Sequence, residues 1–310
     1  MALDRNGTRF LLYARHLGVD FSRTAMIGRQ RLQLGPRQLF SNLRTFGDTL
    51  DAPGVERLIA DGDGYAEGFF SHLGAAEVSS FDGSAYEGAT HVHDMNQPIP
   101  NDYRERYTAV VDGGSLEHVF DFPAAIRNCM EMVAVGGHFL CIAPANNFMG
   151  HGFYQFSPEL FFRLFAGANG YRLVRLLAYE QGSRASWFSV RDPEVVRRRV
   201  MLVNRKRVCL LVLAQRTENA PILDNPPQQS DYSSLWALPG RPETRSAGAI
   251  SWRRRLRRRV KNGVRRLLSG YGSFDPRLFE RLDIAREVRS HREAAIGRPP
   301  SSARSASVPR

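Results

Sequence analysis

The segment Tyr107–Pro144, YTAVVDGGSLEHVFDFPAAIRNCMEMVAVGGHFLCIAP, restricts the possible fold more than any other stretch of this chain. Thr108–Val111 is a short apolar run that stops at Asp112-Gly113-Gly114, the pattern of a buried strand opening into a tight loop. From Pro123 the apolar residues Ala124, Ile126, Met130 and Val133 recur at helical spacing. Gly136-Gly137 then supplies the permissive backbone that ends a helix. Phe139–Ile142 is apolar again and closes at Pro144. Strand, helix and strand make a βαβ unit, and a right-handed crossover sets its two strands parallel. Ligands of open α/β sheets sit beyond the carboxyl ends of such strands. Chemistry is therefore expected at Asp112–His118 and Ala143–His151.

The flanking sequence supplies more strands. Arg23–Gln30 reads as a first strand that turns at Gly28, Glu77–Phe81 as a second that ends at Asp82, and Thr90–His93 as a third that ends at Asp94. Tyr171–Tyr179 and Val208–Ala214 complete the set. Helices are expected from Pro36, where proline suits a first turn, over Tyr65–Leu73, and from Ser157-Pro158, where serine caps and proline follows. The reading is an α/β fold: a Rossmann-like, mostly parallel seven-stranded sheet with helices on both faces, occupying residues 23–220. Residues 1–22 give a weak helical signal and read as part of the fold or as an N-terminal arm, and the division into domains treats them as an arm. The Pro-, Ser-, Asn- and Gly-rich stretch 221–250 reads as a linker.

Charge separates the last part of the chain from the rest. The formal net charge is +12, yet residues 1–250 hold as many acids as bases, so the whole surplus lies in 251–310. Within SWRRRLRRRVKNGVRRLLSG, Trp252, Leu256, Val260 and Val264 are four apart and arginines fill the rest. Residues 251–290 are expected to form a basic amphipathic helical segment, and the Ser/Arg/Pro-rich 291–310 a disordered tail. Residues 251–268 suit an anionic membrane surface, with nucleic acid the lesser alternative. No apolar run is long enough to span a bilayer. Cys129, Cys141 and Cys209 match neither zinc-ligand nor disulfide spacing, so reduced thiols, a cytoplasmic location (peripheral at the inner membrane if the tail binds there) and no metal site are expected.

Three successive strand ends carry an acid: Asp82, Asp94 and Asp112. On these residues the chain resembles class I S-adenosylmethionine-dependent methyltransferases. VSSFDGS is similar to that family's second-strand motif, HVHDMNQPIP to the third, YTAVVDGGSLEHVFD with VAVGGHFLCIAP to the fourth and fifth, and HGFYQFSPELFFRLFAGANGYRL to the helix that follows. The resemblance covers roughly residues 23–215. It implies S-adenosylmethionine as cofactor, with Asp82 at the ribose, Ser84 beside it, Asp94 near the adenine and Asp112 at the fourth strand. It also places Gly28 and Arg29 at the methionine end, Arg29 pairing with the cofactor carboxylate. The family's Gly-x-Gly-x-Gly turn is reduced here to Gly28 followed by Arg29 and Gln30. Methyl transfer needs chiefly positioning, with a base when the acceptor is a hydroxyl. His118 with Glu117, and His151, are the candidate catalytic residues. Asn146 and Tyr154 are candidates for binding a polar small-molecule or saccharide acceptor.

Other readings compete. The single-glycine loop suits a non-catalytic scaffold that has lost the cofactor. The basic tail suits a nucleic-acid-modifying methyltransferase. A nicotinamide enzyme is disfavoured because no GxGxxG follows a strand.

Overall fold

A computed structural model describes residues 2–182, 185–231 and 274–295, the side chains of the last five excepted. The chain begins with β1 (Ala2–Leu3), α1 (Arg5–His16), β2 (Arg23–Ile27) and β3 (Arg31–Leu32). Then come α2 (Pro36–Thr45), α3 (Ala52–Ala60), α4 (Glu67–Leu73), β4 (Glu77–Asp82) and β5 (His91–Val92). The middle holds β6 (Tyr107–Asp112), α5 (Phe122–Met132), β7 (Val133–Pro144) and α6 (Pro158–Leu164). The last described elements are β8 (Tyr171–Glu180), β9 (Trp187–Val190), α7 (Pro193–Val196), β10 (Val208–Arg216), β11 (Phe279–Leu282) and a helix at Ile284–Ala295.

Among the described residues, the main sheet has nine strands in the order β11-β9-β8-β10-β7-β6-β2-β4-β5. β5, β4, β2, β6 and β7 are parallel neighbours, while β10 runs antiparallel to both β7 and β8. Period-two alternation feeds two cores. Ala25, Ile27, Val110, Phe139, Cys141, Leu210 and Val212 face one side with α5 and α6. Met26, Ala109, Val111, Leu140, Leu211 and Leu213 face the other with α1, α2 and α4.

Several expectations are corrected. The described sheet has nine strands rather than seven, because β9 and β11 extend the β8 edge. The short WFSV of β9 carries little periodic signal, and β11 falls in a stretch that reads as helix. Residues 2–22 pack into the fold rather than standing off as an arm. In α1, Phe10 to Ala14 are fully buried, and the polar Asn6 and Thr8 are buried as well. Asn42 donates to Thr8 Oγ1 at 2.9 Å and to the Arg5 carbonyl at 2.8 Å, which satisfies those groups inside the core. A helix covered on most sides lacks the clean two-faced pattern that sequence reading relies on. Gly136 and Gly137 do not stop α5. They lie within β7, where a Cβ at Gly137 would come within 2.8 Å of the Thr108 carbonyl. The β6–β7 register shifts there, so glycine admits close backbone approach.

The expected linker begins as packed chain, since Ile222 and Leu223 are buried and Arg127 donates to the Leu223 carbonyl at 3.0 Å. Its remainder, 232–250, and the basic stretch 251–268 lie outside the described residues, as do 296–310 of the expected tail. Residues 291–295 continue the last helix rather than starting a disordered segment. Among the described residues, no helix is long and apolar enough to cross a membrane. All three cysteines are buried and unpaired by disulfides.

Candidate active site

The winding of the sheet reverses between β2 and β6, the position where open α/β sheets bind ligands. Gly28 turns the chain out of β2 with φ +71°, and its N–H donates to the Phe81 carbonyl at 2.6 Å. Only glycine takes that backbone without strain. Gln30 then folds back and is fully buried. Its Nε2 donates to the carbonyls of Ile27 at 2.7 Å and Gly28 at 3.2 Å. Its Oε1 occupies the space a side chain at Gly113 would need, and has no hydrogen-bond partner among the described residues. Ser115 Oγ also donates to the Ile27 carbonyl. The reversal point is thus stitched by the protein's own side chains.

Arg29 is anchored away from that point. It pairs with Glu67 at 2.7 Å, donates to the Glu87 carbonyl at 2.8 Å and lies 3.9 Å over the Tyr65 ring. Asp112 is fully buried and accepts from the Ser115 amide at 2.7 Å and the Cys141 thiol at 3.1 Å. Burial pushes its carboxyl up, against the pull of those bonds. Asp94 is exposed and accepts from the Asn96 amide at 2.9 Å and side chain at 2.6 Å, a local turn that lowers its pKa. Ser84 is exposed and caps the Tyr86 amide. Asp82 is half-buried at the end of β4 and makes no side-chain hydrogen bond among the described residues, which leaves its carboxylate open to a ligand.

The open space lies one strand further along. A cavity of about 450 Å³ sits over the carboxyl ends of β6 and β7. Arg31, Glu87 and Arg207 bring charge to its lining, together with Glu117, His118 and His151. A single helical turn after β6, Leu116–His118, aims Glu117 and His118 at it. The Glu117 carbonyl accepts from the amides of Phe153 at 2.7 Å and Tyr154 at 3.2 Å, which draws the loop after β7 across. Gly152 makes that approach possible: its φ is +74°, and a Cβ there would stand 2.7 Å from the Glu117 carbonyl. His151 Nε2 consequently sits 3.4 Å from Glu117 Oε1, and its ring lies 5.1 Å from that of His118. Glu117 is 2% exposed, and its Oε2 has no partner among the described residues. Burial lifts its carboxyl well above the ordinary glutamate range, and the nearby Asp112 lifts it further. Burial, then the neighbouring His151 ring, holds His118 below its usual pKa.

Of the residues singled out in the sequence, Glu117, His118 and His151 meet in one pocket. Gly28, Arg29, Asp82, Ser84, Asp94 and Asp112 are absent from its lining. Asn146 ties to the Leu202 carbonyl at 2.8 Å, and Tyr154 OH to the Phe120 carbonyl at 2.6 Å. Both side chains therefore hold loops. The pocket also takes Asp4, Gln33, Tyr179 and Arg207, none of which sequence reading marked. Asp4 and Gln33 arrive through the parallel pairing of β1 with β3, two residues each, which is too short to leave a periodic signal.

Parallel strands β5, β4, β2, β6 and β7, followed by a reversed strand wedged before the next, constitute a Rossmann-like α/β fold. No family model matches the chain, and no curated protein matches it. Among solved structures it is similar to a protein assigned as a methyltransferase from Bacillus halodurans C-125, with 11% identity, TM-score 0.37, and coverage of 66% of this chain and 99% of that one. It is also similar to the branched-chain polyamine synthase of Thermus thermophilus, with 12% identity, TM-score 0.33, and coverage of 71% and 61%. A 16S rRNA (adenine(1408)-N(1))-methyltransferase variant from Catenulisporales acidiphilia matches with 11% identity, TM-score 0.34, and coverage of 67% and 91%.

Proposed function

We propose that this chain is an S-adenosylmethionine-dependent methyltransferase acting on a hydroxyl of a polar small molecule or saccharide. The observation that carries the reading is the buried Glu117 beside His151 and His118, in a cavity at the ends of β6 and β7 in a sheet of this topology. The residues fit the cofactor at its ribose end. Asp82 offers an unengaged carboxylate to a ribose diol, whereas Gln30 fills the space beside Gly113 at the other end. When bound, the sulfonium supplies the methyl group. His151 takes the acceptor's proton at Nε2, which lies 3.4 Å from Glu117 Oε1. Arg31 and Arg207 in the lining suit an acceptor rich in oxygen atoms.

Titration calorimetry with S-adenosylmethionine tests this reading: saturable binding that Asp82→Ala weakens is expected. Folded protein with no detectable binding would remove it. A second reading, a non-catalytic scaffold, is favoured by Gln30 filling the space beside Gly113 and by Arg29 bridging Glu67 and the Glu87 carbonyl. It predicts no cofactor binding even in Gln30→Gly, which vacates that space. The methyltransferase reading predicts tighter binding in the same variant.

A further inference from the structure

Glu117, His118 and His151 come from two loops that have no sequence relation, yet their ligand atoms all lie within 4.8 Å of one another. Two are imidazoles and one is a carboxylate, the donor set that suits first-row divalent transition metals rather than magnesium or calcium. The two histidines are exposed, so each ring can turn toward a common centre. Glu117 is different. It is 2% exposed, it lines the cavity, and its Oε2 is buried without a partner among the described residues. An acid taken out of water normally has its oxygens occupied, and a missing partner at such a place calls for a bound group. The other buried acid nearby, Asp112, has its oxygens engaged by the Ser115 amide and the Cys141 thiol and does not satisfy Glu117 Oε2.

We infer that Glu117, His118 and His151 form a three-ligand site for a divalent transition-metal ion, with its open coordination positions facing the cavity. Metal–ligand bonds of about 2.0–2.2 Å require the three atoms to draw together by roughly 1 Å, a movement the exposed imidazole rings can make. The buried carboxylate sets the position and the histidines close on it. Three protein ligands leave room for an oxygen of the acceptor, the arrangement of catalytic rather than structural sites. In that role the inference rests on the methyl-transfer reading. The ion then lowers the pKa of the hydroxyl it holds, a task otherwise left to His151, and the released proton passes to water. Binding of the ion itself depends on neither donor nor acceptor.

The test uses the full-length chain without affinity tag, cofactor or acceptor, titrated calorimetrically with zinc chloride, and with cobalt(II) chloride followed by visible absorption. One saturable site is expected, with a tetrahedral or five-coordinate cobalt spectrum. Glu117→Gln, His118→Ala and His151→Ala should each weaken binding by more than the ~10–100-fold that outer-shell changes cost. His93→Ala, outside the pocket, should leave it unchanged. Thermal melts establish that each variant is folded, and Glu117→Gln, which keeps the side chain's shape, serves if an alanine variant does not fold. Two outcomes overturn the inference: no saturable binding to folded wild-type protein, or binding that the histidine variants lose and Glu117→Gln retains. The second would mark an exposed histidine pair only. Because no S-adenosylmethionine is present, either failure leaves the methyltransferase reading to its own experiment.

Discussion

Gly152 sets how close the two halves of the pocket come. Gly152→Ala would force a positive φ on an L residue and press a methyl group against the Glu117 carbonyl. Strain of this kind costs of order 1–3 kcal/mol, so urea unfolding should show a loss of that size, accompanied by loss of the His151–Glu117 approach. At this scale the sequence was partly readable. Glu117, His118 and His151 stood out because strand ends were visible and acids and imidazoles cluster where chemistry occurs. Where Gln30 and Arg29 turn was not readable. Both follow one glycine, yet Gln30 goes into the wall while Arg29 stretches to Glu67 and the Glu87 carbonyl. Nor was it readable that Asn146 and Tyr154 fasten loops, through the Leu202 and Phe120 carbonyls.

The elements differ in how they announced themselves. β2, β4, β6, β7, β8 and β10 were visible as apolar runs bounded by glycine, proline or acid. The helix α1 was obscured by the buried Asn6 and Thr8, which bond to the Gly182 carbonyl and to Asn42, both distant in sequence. Asn42→Ala should accordingly cost about 1–3 kcal/mol by stranding buried polar groups, and removal of residues 2–16 should abolish cooperative thermal unfolding rather than trim an arm. Strand β7 carries a pH-dependent liability. His138 is half-buried, its Nδ1 has no partner among the described residues, and burial, reinforced by Arg172, pushes its pKa down to about 4. Unfolded chains bind that proton near the ordinary histidine value of 6.5. Between those limits the unfolded state therefore holds more protons, and this group's contribution to stability falls as pH falls. His138→Gln should flatten the decline of melting temperature with acidification across that window.

For the whole molecule, charge divides labour. Residues 1–250 are formally neutral, and the surplus of +12 lies beyond them. If the basic stretch meets anionic lipid, each Lys or Arg near the surface contributes about 1 kcal/mol. Deleting residues 251–268 should then abolish co-sedimentation with phosphatidylserine vesicles, and rising salt should do the same to the intact chain. An unchanged sediment in the deletion variant would rule that role out.

One consequence of the sheet order concerns assembly during translation. β8 and β9 emerge before β10, yet β10 is what joins them to β7. Until Val208–Arg216 leaves the ribosome, both flanking edges stay unsatisfied, and a nascent chain stalled short of that point would expose two sticky margins instead of one closed sheet.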